Sequence, residues 1–143
     1  MSERTSIGRH AIWREPDTGF VHFVHDGMFD EEAAATFLDV MMRYVSDLPP
    51  GEPAFLITDN RRATGFTSKA RKVLASANGM PNNSCVAVFG VSFIFAAALK
   101  LLTKTFALVA TTKIHVSVFA GEAEARAWLA EQQLLYGTRK ANA

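Results

Sequence analysis

The sequence predicts an α/β protein of one domain, built on a mixed, mostly parallel sheet with an antiparallel hairpin at its start. Three observations carry that prediction. Short apolar runs, AFLIT at 54–58 and CVAVF at 85–89, read as buried strands, the first on both faces, and IHVSVF at 114–119, where His115 and Ser117 alternate with apolar residues, reads as a further strand. Between them stand segments whose apolar residues recur at helical spacing, long enough to serve as right-handed crossovers. A chain of 143 residues can also bury most of its apolar surface without metals or disulfide staples. The expected order is ββαβαβαβα, with four helices, a core from about residue 12 to 133, and polar ends.

Each element has its own warrant. Ile12–Glu15 and Phe20–Asp26 are strand candidates separated by EPDTG, where Pro, Asp and Gly supply turn chemistry, so together they predict a hairpin. Asp30 caps the first helix, Glu31 and Glu32 complement its positive end, and Phe37, Met41, Tyr44 and Leu48 give it one apolar face before PPG stops it. AFLIT follows as a strand. The polar stretch after it reads as a loop into a second helix, from Thr67 to about Asn78, with Ala70, Val73, Leu74 and Ala77 inward. After CVAVF comes a long apolar helix, from about Ser92 to Phe106. IHVSVF is the last strand, and the final helix starts near Glu122 with Trp128 and Leu129 on its inner side.

Bulk properties narrow the function classes. A formal net charge of +1, with basic residues spread along the chain, gives neither a stripe for nucleic acid nor a polybasic anchor for anionic lipid. Cys85 is the only cysteine, which excludes a disulfide framework and a multi-cysteine metal site and fits a reducing cytoplasm; at the head of an apolar strand it reads as a buried thiol. The N-terminal MSERTSIGRH has no apolar segment of the kind a secretory signal needs. A cytoplasmic protein is expected.

Two stretches attract functional attention. Asp59, Asn60, Arg61 and Arg62 lie just past the carboxyl end of a buried strand, where open α/β sheets bind ligands, and Thr67 and Ser68 stand at a helix start followed by Lys69 and Arg71. A hydroxyl there caps free amides, and a phosphate on it would sit on the positive helix end. The second stretch, FIFAAALKLLTKTFALVA, has apolar residues on two faces. One face needs the sheet; the other, with Phe93, Ile94, Leu101, Thr105 and Leu108, is to be covered by neighbouring helices, a second subunit in a homodimer, or an apolar ligand. Lys100 and Lys104 argue against a membrane span.

Catalytic signatures do not assemble. His22 and His25, three apart on a strand, point to opposite faces, and His10 and His115 bring no helical HxxxH or Cys partner, so no metal site is expected. Ser92 follows a strand in GVS but lacks the GxSxG frame and reads as a helix cap. GxGxxG and GxxxxGK are missing, so nucleotide cofactors have no foothold. An enzyme using His115 or His22 as a base is the remaining catalytic reading.

The order ββαβαβαβα, the strand ending in Asp59, the Thr67-Ser68 helix start, and the closing strand, Glu-Ala-Glu-Ala and Trp-Leu together resemble the STAS family. The likeness is nearest to its bacterial stand-alone branch, similar to anti-sigma-factor antagonists, whose fold is shared with CRAL-TRIO lipid-binding domains. It covers roughly Ile12 to Gln133. The resemblance implies a non-enzymatic regulatory module that binds a protein partner, a kinase or an anti-sigma-type regulator, and is switched by phosphorylation at the start of the second helix. Thr67 and Ser68 occupy the switch position, with Asp59, Arg61, Arg62, Lys69 and Arg71 around it. The family usually places Asp directly before the phosphorylated residue; here Thr67 stands there, ahead of Ser68. The alternative expectation is a carrier or sensor of a small lipid-like molecule beside the Phe93–Phe106 helix. No cofactor is expected in either case.

Overall fold

A computed structural model describes residues 4–76, 80–92, 96–97, 100 and 113–141, and over these the chain forms one six-stranded sheet flanked by helices. Strand β1 (Thr5–Ile7) pairs antiparallel with β2 (His10–Arg14), and β2 antiparallel with β3 (Val21–Phe29). From there β3, β4 (Phe55–Phe66), β5 (Ser84–Phe89) and β6 (Ile114–Phe119) run parallel. Spatial order and chain order coincide. Helix α1 (Glu31–Ser46) links β3 to β4, α2 (Ser68–Ala75) leads from β4 towards β5, and α3 (Glu122–Ala141) follows β6.

The expected order ββαβαβαβα needs correction. Among the described residues there are six strands rather than five, because the short polar TSI segment pairs as β1. The described elements run βββαβαββα, with three helices rather than four among the described residues. The fourth expected helix, from about Ser92 to Phe106, lies for the most part outside them, as do Phe93, Ile94, Leu101, Thr105 and Leu108. The presumed loop after AFLIT is strand too: β4 runs twelve residues, and its second half stays paired to β3 from Asp26↔Arg62 to Phe29↔Phe66. Two register shifts, at Val24/Asp26 and Gly27/Met28, mark irregularities that bend and twist this overhang, with Gly27 and Gly65 at positive φ.

Helix α1 forms for the reasons its sequence gives. Asp30 accepts a 2.8 Å hydrogen bond from the Ala33 amide, Glu31 and Glu32 occupy the first turn, and Ala34, Val40 and Met41 are buried. Helices α1 and α2 cover one face of the sheet, over Ile12, Phe23, Phe29 and Leu56. Helix α3 covers the other, placing Ala125 and Leu129 on Phe20, Ile57 and Phe89. Alternation along β4 divides Leu56 from Ile57 between these cores. Each fully buried large side chain contributes about 1.5–3 kcal/mol, and Phe29→Ala, at the centre of the aromatic cluster, would cost roughly 3–5 kcal/mol.

Candidate functional site

The second half of β4 delivers the polar residues of interest, and each finds a different neighbour. Asp59 is buried on the α3 side; its carboxylate accepts the Arg61 amide at 3.1 Å and the Arg61 guanidinium at 3.0 and 2.7 Å. Burial alone would raise the Asp59 pKa, but the hydrogen bonds and charge of Arg61 outweigh it and hold the group below the usual carboxylate range. Arg61 is thus folded back on its own strand, its guanidinium 5.6 Å from the Phe89 ring centroid. Gly90, at φ +77°, passes so close that an added Cβ would stand 3.0 Å from the Arg61 amide nitrogen. Arg62 instead reaches Asp26, at 3.6 Å, which also holds Arg9 at 3.0 Å.

Thr67 and Ser68 take separate roles at the start of α2. Thr67 adopts an extended N-cap conformation, its Oγ1 accepts the Ala70 amide at 3.0 Å, and its own N–H donates to the Phe29 carbonyl at 3.0 Å. Ser68 is the first helical residue and is exposed, as are Lys69 and Arg71. The structure therefore brings Ser68, Lys69 and Arg71 into one solvent-facing turn. Asp59 and Arg61 form a separate, partly buried pair.

Sequence reasoning missed a buried polar cluster on the opposite face of the same strand. Asn60 donates through Nδ2 to His25 Nδ1 at 3.2 Å, and the His25 ring stands edge-on to His10, with centroids 5.2 Å apart. His10 Nδ1 in turn accepts the Asp26 amide at 2.9 Å. Burial, then the charge of His10, pushes His25 down to about 4. A signal was available: Val21, Phe23 and His25 alternate on the core face of β3, so His25 had to be a core histidine needing a partner.

The other histidines serve the framework. His22 stacks on Trp13 at 4.3 Å, and its Nδ1 lies 3.2 Å from the Glu15 carboxylate; His115 Nε2 lies 3.2 Å from Asn83 Oδ1. Cys85 is buried, its thiol 3.4 Å from the Asn83 carbonyl. Among the described residues no group of three or more His, Cys, Asp or Glu could hold a metal ion, and no helix is long and apolar enough to cross a membrane.

No protein-family model and no curated protein sequence matches the chain. Among solved structures it is similar to an uncharacterized protein of the DUF3478 family from Shewanella loihica PV-4, described as having a SpoIIAA-like fold. The TM-score is 0.59 at 15% identity, over 90% of this chain and 95% of that one. The fold is SpoIIAA-like. A second similar structure is apo-SiaC from Pseudomonas aeruginosa, with TM-score 0.47 at 13% identity, covering 82% of this chain and 98% of that one. The resemblance read from the sequence holds at the level of the fold. In this SpoIIAA-like sheet the paired overhang of β4 leads directly into the exposed first turn of α2.

Proposed function

We propose that this chain is a non-enzymatic, protein-binding regulatory module of the STAS type, which meets its partner through the end of β4 and the first turn of α2. The observation that carries the reading is the division of labour between Thr67 and Ser68. Thr67 already caps the helix, as the Asp usual at that position in the family would, and this leaves the exposed Ser68 hydroxyl outside the capping bond. Ser68 is the phosphate acceptor of this proposal.

A phosphate there would lie against the positive end of α2 and within the turn that carries Lys69 and Arg71. The first turn has no acidic residue to oppose it. Unmodified, the same turn presents cations to an acidic partner surface, which fits an anti-sigma-type regulator or a kinase; modified, it presents a dianion and repels that surface. Asp59 and Arg61 act from behind, fixing the strand that carries the turn, and Arg62 extends the cationic rim.

Phosphopeptide mapping and native mass measurement on protein purified from its source cells test the reading. The expected result is phosphate on Ser68 and a co-purifying protein that is retained by Ser68→Ala and lost with Ser68→Asp. Phosphate found on Thr67 instead of Ser68 would overturn the acceptor, and a chain never modified at Ser68 and carrying no partner would overturn the reading.

A further inference from the structure

A cavity of 170 Å³ lies between the sheet and the α1–α2 layer, with Phe29, Phe66, Leu74 and Val88 in its walls and His25 and Asn60 at its polar side. Its size is close to that of an engineered apolar cavity of about 150 Å³ that takes up benzene, and too small for an acyl chain. Among the described residues no Asp, Glu, Lys or Arg lines it. These described walls offer an ionised guest no counter-charge and favour a neutral one.

The polar side is incomplete. Asn60 is 5% exposed, and its Nδ2 is committed to His25, while Oδ1 has no hydrogen-bond partner among the described residues. A buried acceptor left unmet costs about 1–3 kcal/mol. A lone water at the polar side, where Thr58 joins His25 and Asn60, occupies only about 30 Å³ and leaves the aromatic and aliphatic walls that make up most of the lining without a partner. A flat molecule with one donor answers it well: its faces and edges meet Phe29 and Phe66, and its N–H or O–H meets Asn60.

We propose that this cavity is a binding site for a small, neutral, planar ring compound bearing one hydrogen-bond donor, which Asn60 Oδ1 accepts. The site is independent of the Ser68 surface, and its test reads binding directly.

The test titrates the full chain with indole and with indene, which has nearly the same shape but no N–H, by calorimetry and by ¹H–¹⁵N NMR of the Asn60 side-chain amide. Indole is expected to bind saturably, shift the Asn60 amide resonances, and bind about tenfold more tightly than indene, the worth of one buried hydrogen bond. Val86→Phe, which fills the cavity from β5, is expected to keep the unfolding transition and lose indole. Two results would overturn the proposal: no saturable indole binding, or equal affinities for the two probes on the unaltered chain. Unchanged binding by a folded Val86→Phe variant would overturn the location.

Discussion

Arg126 of α3 closes on the Glu15 carboxylate with hydrogen bonds of 2.9 and 2.5 Å, joining residues 111 apart in the chain. The same guanidinium binds Glu122 one turn earlier at 2.8 Å. The last helix is thereby fastened to the turn between β2 and β3.

Removing that clasp should be costly. Arg126→Leu is expected to lower stability by about 1.5–3 kcal/mol, the range for hydrogen bonds to charged groups, because both side chains are largely shielded. The Arg126 hydrogen bonds come first among the causes that hold Glu15 at about 2, below its ordinary 4.5. A depressed carboxyl stabilises fully above its ordinary value and loses that contribution as pH falls from 4.5 towards 2. Urea unfolding at pH 7 and pH 3 checks this: Glu15→Gln should narrow the gap between the two curves.

His25 predicts a second, higher acid limb. Its folded pKa of about 4 lies below the ordinary 6.5, so proton uptake favours the unfolded chain. Stability should be complete above pH 6.5 and fall as pH drops towards 4, by an amount on the order of 3 kcal/mol. Burial and the charge of His10 lower the value, while backbone hydrogen bonds with Gly27 and Gly65 and the charge of Asp26 raise it. Imidazole resonances followed by NMR should show His25 neutral at pH 5.5; a midpoint near 6.5 would contradict the reading.

Gly90→Ala should destabilise despite its small size. The backbone is at φ +77°, and the new Cβ would press on the Arg61 amide nitrogen and Cα, at 3.0 and 3.2 Å, which cannot rotate away. A loss of about 1–3 kcal/mol is expected, measured as a fall in Tm. A Tm equal to that of the parent would show that the strand ends can part freely.

Thr67 and Ser68 should separate in a stability assay before any partner is known. Thr67→Ala is expected to cost about 1 kcal/mol through the lost cap, and Thr67→Asp to restore it. Ser68→Ala should stay within about 0.5 kcal/mol, as an exposed site does. Thermal unfolding of the three variants distinguishes cap from acceptor.

The central parallel strands were legible because burial on both faces leaves an uninterrupted apolar run, as CVAVF does in β5, whereas IHVSVF, the edge strand β6, shows an alternating pattern and leaves Val116 and Val118 exposed. The cap at Asp30 was legible for a similar, local reason. What was hidden depends on partners elsewhere. The run from Asp59 to Gly65 looks like a loop because it is polar, yet His25 and Asp26 on β3 meet Asn60 and Arg62, while Arg61 answers Asp59 from within the strand itself. Glu15 and Arg126 carry no local mark of each other at all. Of the expected site residues, the positions at the α2 start were visible as a helix terminus, whereas the His25–Asn60 side required knowing which strands lie together.

The coincidence of chain order with strand order also bears on how the molecule is made. As the polypeptide leaves the ribosome, each new strand finds its pairing edge already built beside it, and no later segment has to be inserted between earlier ones. Growth can be vectorial from the hairpin outwards. The contacts of Arg126 with Glu15, of Gln133 with the Thr18 carbonyl and of Leu129 with Phe20 join α3 back to the early strands, so a nascent chain stalled before α3 would carry a paired sheet with one side still bare.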